Sequence, residues 1–436
     1  MALNHEQTRL IKATVPLIRQ DGERIATLFY TNMIRDHPGM HAYFNPISMQ
    51  RGHQPKAFTM MMLAFASSIN DISGLVARME KVAHKHASLA ITPDLYDIVG
   101  DYLLRAFAEV LGPHCWTRAI REAWERAYSV MAGMLTRREA LIYRDFGSWV
   151  GWRRFVVAQR WTELADGNDG EGDIVTIEVR PEDGKKLPPF QPGQYVSLRL
   201  SAVPGRDHPQ LRQYYLCGDP ASSSTYRFTV RRDASRETEH FRTESRHVPQ
   251  SSVRPGVVSS MLIDQVMVGD VLELTHPAGE FSLEPASSEN TGNAPIVLIS
   301  AGTQPPPPPP PPPPDRPISW VHGSRHRPLY GNQVRDLAKR FPERLGTTFF
   351  KTRLADSDVL SYTVDFVTDL NVGRVRPVED LYLRGGGGMS GQPAEYYVCG
   401  PHRFMIEVKK YLESNRVDPS RIKFGMLEIG SMDKKD

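Results

Sequence analysis

The sequence predicts three folds in succession: an all-α domain, a small antiparallel β-barrel, and an α/β domain built on a parallel sheet. Three observations predict it. Residues 4–144 carry apolar positions at helical spacing and almost no strand signal. After Asp145 come short segments rich in Val, Ile, Leu, Tyr and Thr, separated by turn residues. From about Asn293, continuous apolar strands alternate with helical stretches. The expected boundaries are 1–147, 152–288 and 289–436.

In the first part, helices are expected over 6–19, 23–35, 54–69, 75–88, 93–111 and 118–144. Asp36-His37-Pro38-Gly39 and Gly112-Pro113 are breakers, and Thr92-Pro93-Asp94 is a helix start. In the second part, strands are expected over 155–158, 174–179, 195–200, 212–217, 226–230 and 271–275. Residues 233–255 are polar and read as an exposed loop. In the third, strands fall at 296–300, 318–321, 347–351 and 396–399, with helices at 334–340 and 404–415. Two low-complexity runs interrupt it, ten prolines at 305–314 and four glycines at 385–388.

Composition limits the function classes. A net charge of +3 on 436 residues offers no basic surface for nucleic acid or membrane, so neither partner is expected. No apolar run approaches the length of a bilayer span, and the first residues lack the shape of a signal peptide. Three scattered cysteines, Cys115, Cys217 and Cys399, have no metal or redox spacing and suit a reducing compartment. A cytoplasmic protein, monomeric or weakly dimeric, is expected.

One stretch organises the rest. Leu75, Met79, Val82, His86 and Leu89 recur at helical steps and place His86 on an apolar face. A histidine there needs a partner for each ring nitrogen or a metal, and this helix alone leaves both readings open. His84, Lys81 and Lys85 fall elsewhere on the wheel and read as solvated.

With its neighbours, the chain resembles the flavohaemoglobins, which act as nitric oxide dioxygenases, over nearly its whole length. The resemblance rests on Tyr30 in LFYTNM, Phe44 in HAYFNP, Gln54 in RGHQPKAF, His86 in AHKHASL, Tyr96 in TPDLYDIVGDYLL and Glu139 in RREALIY. It implies a globin domain holding haem b, with His86 as iron ligand. Tyr96 and Glu139 would form a layer behind it that raises its basicity. Tyr30 and Gln54 would donate hydrogen bonds to the gaseous ligand, and Phe44 would wedge the porphyrin. Phe58, where the family often has leucine, would narrow access.

The middle domain resembles the FAD-binding barrel of ferredoxin-reductase-like enzymes. Pro192-Gly193-Gln194-Tyr195 and Arg212-Gln213-Tyr214 match its flavin-holding strands, and Gly256 to Ser260, with Ser259, its second phosphate turn. The resemblance implies tyrosine stacked on the isoalloxazine and arginine on the pyrophosphate. Tyr215 stands where the family usually has serine.

The third domain matches the family's NAD(P)H-binding fold at the strand ending in Gly302 and at Cys399-Gly400-Pro401. Between them, at 303–315, the glycine-rich turn and helix are replaced by Thr303-Gln304 and the prolines. A proline run cannot be helical. As polyproline II at about 3.1 Å per residue, ten residues reach roughly 30 Å, enough to return past a strand. It offers no helix N-terminus for a pyrophosphate. Near the C-terminus Leu427 stands where the family has an aromatic residue. A decayed domain and a misplaced exon boundary both fit these defects.

The resemblance implies oxidation of NO with O2 to nitrate, at a haem reduced by NAD(P)H through FAD. The alternative is a haem-based gas sensor or scavenger with a non-functional reductase. A third reading makes the proline run a site for SH3-like partners.

Overall fold

The computed structural model describes residues 3–44, 49, 52–71, 73–147, 149–164, 173–201, 203, 207–232, 256–283, 294–302, 316–324, 329–351, 366–367 and 393–425. The proline and glycine runs, the 233–255 segment and Leu427 lie outside these residues.

The first part is helical: α1 (His5–Asp36), α2 (His53–Ser67), α3 (Val76–Ser88), α4 (Pro93–Cys115) and α5 (Arg118–Asp145), with a short 3-10 turn at Pro38–Tyr43. Asn4 opens α1 in a reciprocal capping box with Gln7. Where the sequence suggests a break between residues 19 and 23, α1 runs straight through. Gly22 is the reason. A Cβ there would lie 2.3 Å from Thr59 Cγ2, and Thr59 Oγ1 donates to the Gly22 carbonyl at 2.8 Å. The glycine is a helix-crossing contact with α2 rather than a terminator. At Gly112, by contrast, the backbone turns to φ 69 and kinks α4, as a Gly-Pro pair suggests. Phe29, Met33, Phe65, Phe107 and Trp124 form the heart of this helical core.

The second part is a six-stranded antiparallel sheet of β1 (Arg153–Leu164), β2 (Ile174–Pro181), β3 (Tyr195–Leu200), β4 (Gln210–Tyr215), β5 (Tyr226–Arg231) and β6 (Val271–Leu274). Its order is β4-β3-β6-β1-β2-β5, and a bridge between Leu216 and Phe228 joins the two ends into a barrel. The turn expected at 256–260 is the start of a helix, α6 (Val257–Asp264). Gly256 caps it in the left-handed conformation at φ 80, and α6 buries Val258, Leu262 and Ile263 in the barrel core.

The third part is a parallel sheet of β7 (Ile296–Ala301), β8 (Ile318–Ser324), β9 (Leu345–Lys351), β10 (Phe366–Val367), β11 (Glu395–Cys399) and β12 (Ile422–Gly425). Helices α7 (Gly331–Arg340) and α8 (His402–Ser414) accompany it. The order β10-β9-β8-β7-β11-β12 reverses between β7 and β11, the switch point at which open α/β sheets bind ligands. Gly302 and Gly400 sit at that edge. A Cβ on Gly400 would meet Phe404 at 2.9 Å and the Ala301 carbonyl oxygen at 3.1 Å, so only glycine permits this approach.

Candidate functional site

Between the helices lies a cavity of about 430 Å³, lined by His86, Tyr30, Phe44, Gln54, Phe58, Tyr96 and apolar side chains that include Val82, Leu95 and Leu135. Leu211, Arg212 and Gln213 of β4 complete its wall, so the barrel contributes to it.

On one side, α3 brings His86 to the cavity. Its Nδ1 lies 2.6 Å from the Tyr96 hydroxyl and 3.2 Å from Glu139 Oε1, and the Tyr96 hydroxyl donates to the same carboxylate oxygen. Tyr96 comes from the first turn of α4 and Glu139 from the last third of α5; both are buried. The Tyr128 hydroxyl donates to the Tyr96 carbonyl at 2.6 Å and steadies that turn. Burial, with the Glu139 charge second, holds the Tyr96 phenol well above its ordinary range, so it stays a donor. A carboxylate behind Nδ1 fixes the proton there and leaves Nε2 as an electron-rich ligand atom. No cluster of three acidic, His or Cys side chains that could hold a metal occurs among the described residues. A metal at His86 therefore needs a further ligand set of its own, as a porphyrin supplies.

Across the cavity, Gln54 Nε2 donates to the Tyr30 hydroxyl at 3.2 Å. That contact uses the oxygen of Tyr30 and leaves its proton for another acceptor. Burial raises the Tyr30 pKa, which keeps the proton on. Phe29, Phe44 and Phe58 surround the Tyr30 ring at centroid distances of 4.6, 5.0 and 5.8 Å, and Phe58 stacks on Phe29 at 4.9 Å. The six pocket residues singled out in the sequence thus line or back one cavity, and its apolar walls with a single imidazole fit a flat, apolar macrocycle.

The barrel residues divide. Tyr195 and Tyr215 pair across β3 and β4 with their rings edge to face at 6.3 Å. Gly193, at φ 101, brings the chain so close to the Phe281 carbonyl that a Cβ would lie 2.1 Å from its oxygen. Gly256 and Ser259 lie at the N-terminus of α6, where Ser259 Oγ donates to the Gly256 carbonyl at 3.0 Å. Tyr214, expected as a flavin contact, instead packs inward on Phe228 at 5.4 Å within the barrel core. Strand alternation is the cause: neighbours on β4 point to opposite faces, so Tyr214 and Tyr215 cannot share a role. Arg212, expected at a pyrophosphate, lines the helical cavity and donates to the Leu211 carbonyl at 2.8 Å.

In the third part, Cys399 is buried and its thiol is pushed up to about 12 by that burial, so it is no nucleophile. Gly302 and Gly400-Pro401 stand at the same edge.

The wheel reading of α3 also needs correction. His84, Lys81 and Lys85, read as solvated, face the barrel. His84 Nδ1 accepts from the Gly279 N–H at 3.2 Å while Nε2 lies 3.1 Å from Glu80, and burial lowers its pKa. Lys85 Nζ donates to Gln213 Oε1 at 2.6 Å. Burial lowers the Lys81 pKa, with the Glu280 charge opposing. A helical wheel cannot announce a second domain. The pairing of opposite-face polar residues on α3 with polar residues on β3 and β4 could not be found from spacing.

The fold and the cavity define a globin-like helical unit joined to a two-domain, reductase-like barrel and parallel sheet. Comparison with known proteins agrees. The Globin family profile matches residues 27–135. The chain is 32% identical over 415 residues to the flavohemoprotein of Rhizobium meliloti (strain 1021), covering 92% of this chain and 93% of that one. It is 35% identical over 439 residues to the flavohemoprotein of Halalkalibacterium halodurans, covering 97% and 96%. In structure it is similar to the flavohemoglobin of Malassezia yamatoensis, solved with bound FAD and heme. The TM-score is 0.73 at 22% identity, over 97% of this chain and 99% of that one. The chain belongs to the flavohaemoprotein family, the flavohaemoglobins. Among the described residues no helix is long and apolar enough to cross a membrane.

Proposed function

We propose that this protein is an oxidoreductase that oxidises nitric oxide with O2 to nitrate, drawing electrons from NAD(P)H through FAD to haem b. The observation that carries the reading is the Glu139–Tyr96–His86 group on one side of the cavity, facing Tyr30 and Gln54 on the other. A haem in this cavity supplies an iron centre that binds and activates a diatomic ligand, and FAD supplies electrons one at a time.

The protein's own residues do the rest. His86 would offer Nε2 to the haem iron, and Glu139 behind Nδ1 would keep the proton there and raise the basicity of Nε2. Tyr30, kept protonated by burial and oriented by Gln54, donates a hydrogen bond to negative charge developing on the ligand. Phe44 would pack against the macrocycle, and Phe58 with Phe29 would keep water from the Tyr30 side. On the barrel, Tyr195 and Tyr215 offer aromatic surface to a flavin, and Gly256 with Ser259 present the N-terminus of α6 to its pyrophosphate. At the third domain, Gly302, Cys399, Gly400 and Pro401 form the sheet edge that would receive a nicotinamide.

One sequence observation favours a second reading. The glycine-rich phosphate turn is replaced by Thr303-Gln304 and ten prolines, which leaves a haem-based sensor or scavenger with a non-functional reductase. A single experiment separates the two. NADPH and then NADH are added anaerobically to protein loaded with haem and FAD, and steady NO consumption and nitrate yield are then measured in air. Reduction of the haem and one nitrate per NO support the dioxygenase. Reduction by dithionite but by neither nucleotide overturns it in favour of the second reading.

A further inference from the structure

The helix that carries His86 has a second polar face, and hydrogen bonds on that face form a closed ring with the barrel. Lys85 Nζ donates to Gln213 Oε1 at 2.6 Å. Gln213 Nε2 donates to Ser197 Oγ at 3.1 Å, and Ser197 Oγ donates to Ser88 Oγ at 3.2 Å. Ser88 Oγ then donates to the Lys85 carbonyl at 2.8 Å and returns the ring to α3. The direction of donation is consistent around the ring. Ser88 and Ser197 are both fully buried. Ser197 is further tied to the sheet where its N–H donates to Thr275 Oγ1 at 3.1 Å.

The placement of Ser88 matters. It stands two residues after His86 on α3 and bonds Ser197, two residues along β3 from Tyr195. His84, two residues before His86, holds the Gly279 N–H beyond β6. The cavity-facing histidine is thus bracketed by two contacts to the barrel. Apolar packing between domains tolerates sliding. Buried hydroxyls in a directional ring do not, because each displaced member leaves an unsatisfied polar atom out of water.

We propose that Ser88 and Ser197 are positioning residues that set the spacing between the haem held by His86 and the flavin beside Tyr195, and so the rate of electron transfer between them. This rests on the haem and FAD reading above. The transfer is of single electrons. Reduced flavin gives up its pair in two steps and releases two protons, and each electron takes ferric iron to ferrous once.

The test uses the full-length protein loaded with both cofactors, its flavin reduced photochemically under anaerobic conditions so that the nicotinamide site plays no part. Flavin-to-haem transfer is followed by the ferric-to-ferrous Soret change in wild type, Ser88→Ala, Ser197→Ala and the double variant. A wider gap between the two groups lowers a distance-limited electron-transfer rate severalfold. The expected result is a fall of that size in each single variant and no further fall in the double. Haem and FAD content and the rate of haem reduction by dithionite should stay at wild-type values. Wild-type transfer rates in both single variants, with or without a lowered melting temperature, make the serines merely structural and overturn the proposal. Additive falls in the double variant overturn the shared-contact argument. A wild-type protein whose reduced flavin never reduces its haem overturns the functional reading itself, a result distinct from either.

Discussion

Replacing Glu139 by Gln removes a buried charge at almost constant volume. Glu139 Oε1 is the acceptor for the Tyr96 hydroxyl and lies 3.2 Å from His86 Nδ1. A hydrogen bond to a charged acceptor contributes about 1.5–3 kcal/mol, against about 1 kcal/mol for a neutral one, so the variant loses about 0.5–2 kcal/mol at Nδ1. The lost interaction favours electron donation from Nε2 and hence the ferric state. With about 59 mV per tenfold change for one electron, the haem potential should rise by roughly 20–85 mV. Spectroelectrochemical titration of purified wild-type and Glu139→Gln protein reads this directly. A potential that stays put, or falls, would refute the argument that the carboxylate tunes His86, even if activity were lost.

Three further outcomes are expected. Tyr30→Phe deletes the hydroxyl that Gln54 orients; O2 should dissociate from the ferrous protein roughly ten- to a hundredfold faster in stopped flow, the equivalent of one hydrogen bond to a charged acceptor. Gly193→Ala places a Cβ 2.1 Å from the Phe281 carbonyl oxygen, whereas Gly184→Ala, at φ 66, meets nothing within 4 Å. The first should abolish stoichiometric FAD binding, while the second should cost only about 1 kcal/mol in a urea titration. His276 and His322 are both fully buried, and burial lowers each to about 4. Their folded pKa lies below the unfolded value, so the unfolded chain takes up protons first. Stability is complete above about pH 6.5 and falls as pH drops toward 4, by about 3 kcal/mol for each residue. Thermal unfolding from pH 7 to 4 checks this, and His276→Gln should flatten the slope of the barrel's transition.

Much of this molecule was written in local pattern. Helical spacing, strand composition and turn residues follow from backbone sterics and from the burial of one face of each element, so α2 to α5 and nearly every strand of the barrel and parallel sheet were legible from the chain itself. The pocket residues Tyr30, Gln54, His86, Tyr96 and Glu139 came from the resemblance to a family rather than from spacing, and the fold gathers them around one cavity. What spacing could not supply was partnership at long range. Gly22 reads locally as a break and is instead the crossing point for Thr59, and Tyr214 reads as a flavin contact but turns into the barrel. His84, Lys81 and Lys85 read as a solvated face only while α3 is considered alone. Whether a polar face meets water or another domain depends on residues more than a hundred positions away, and only the tertiary fold brings them together.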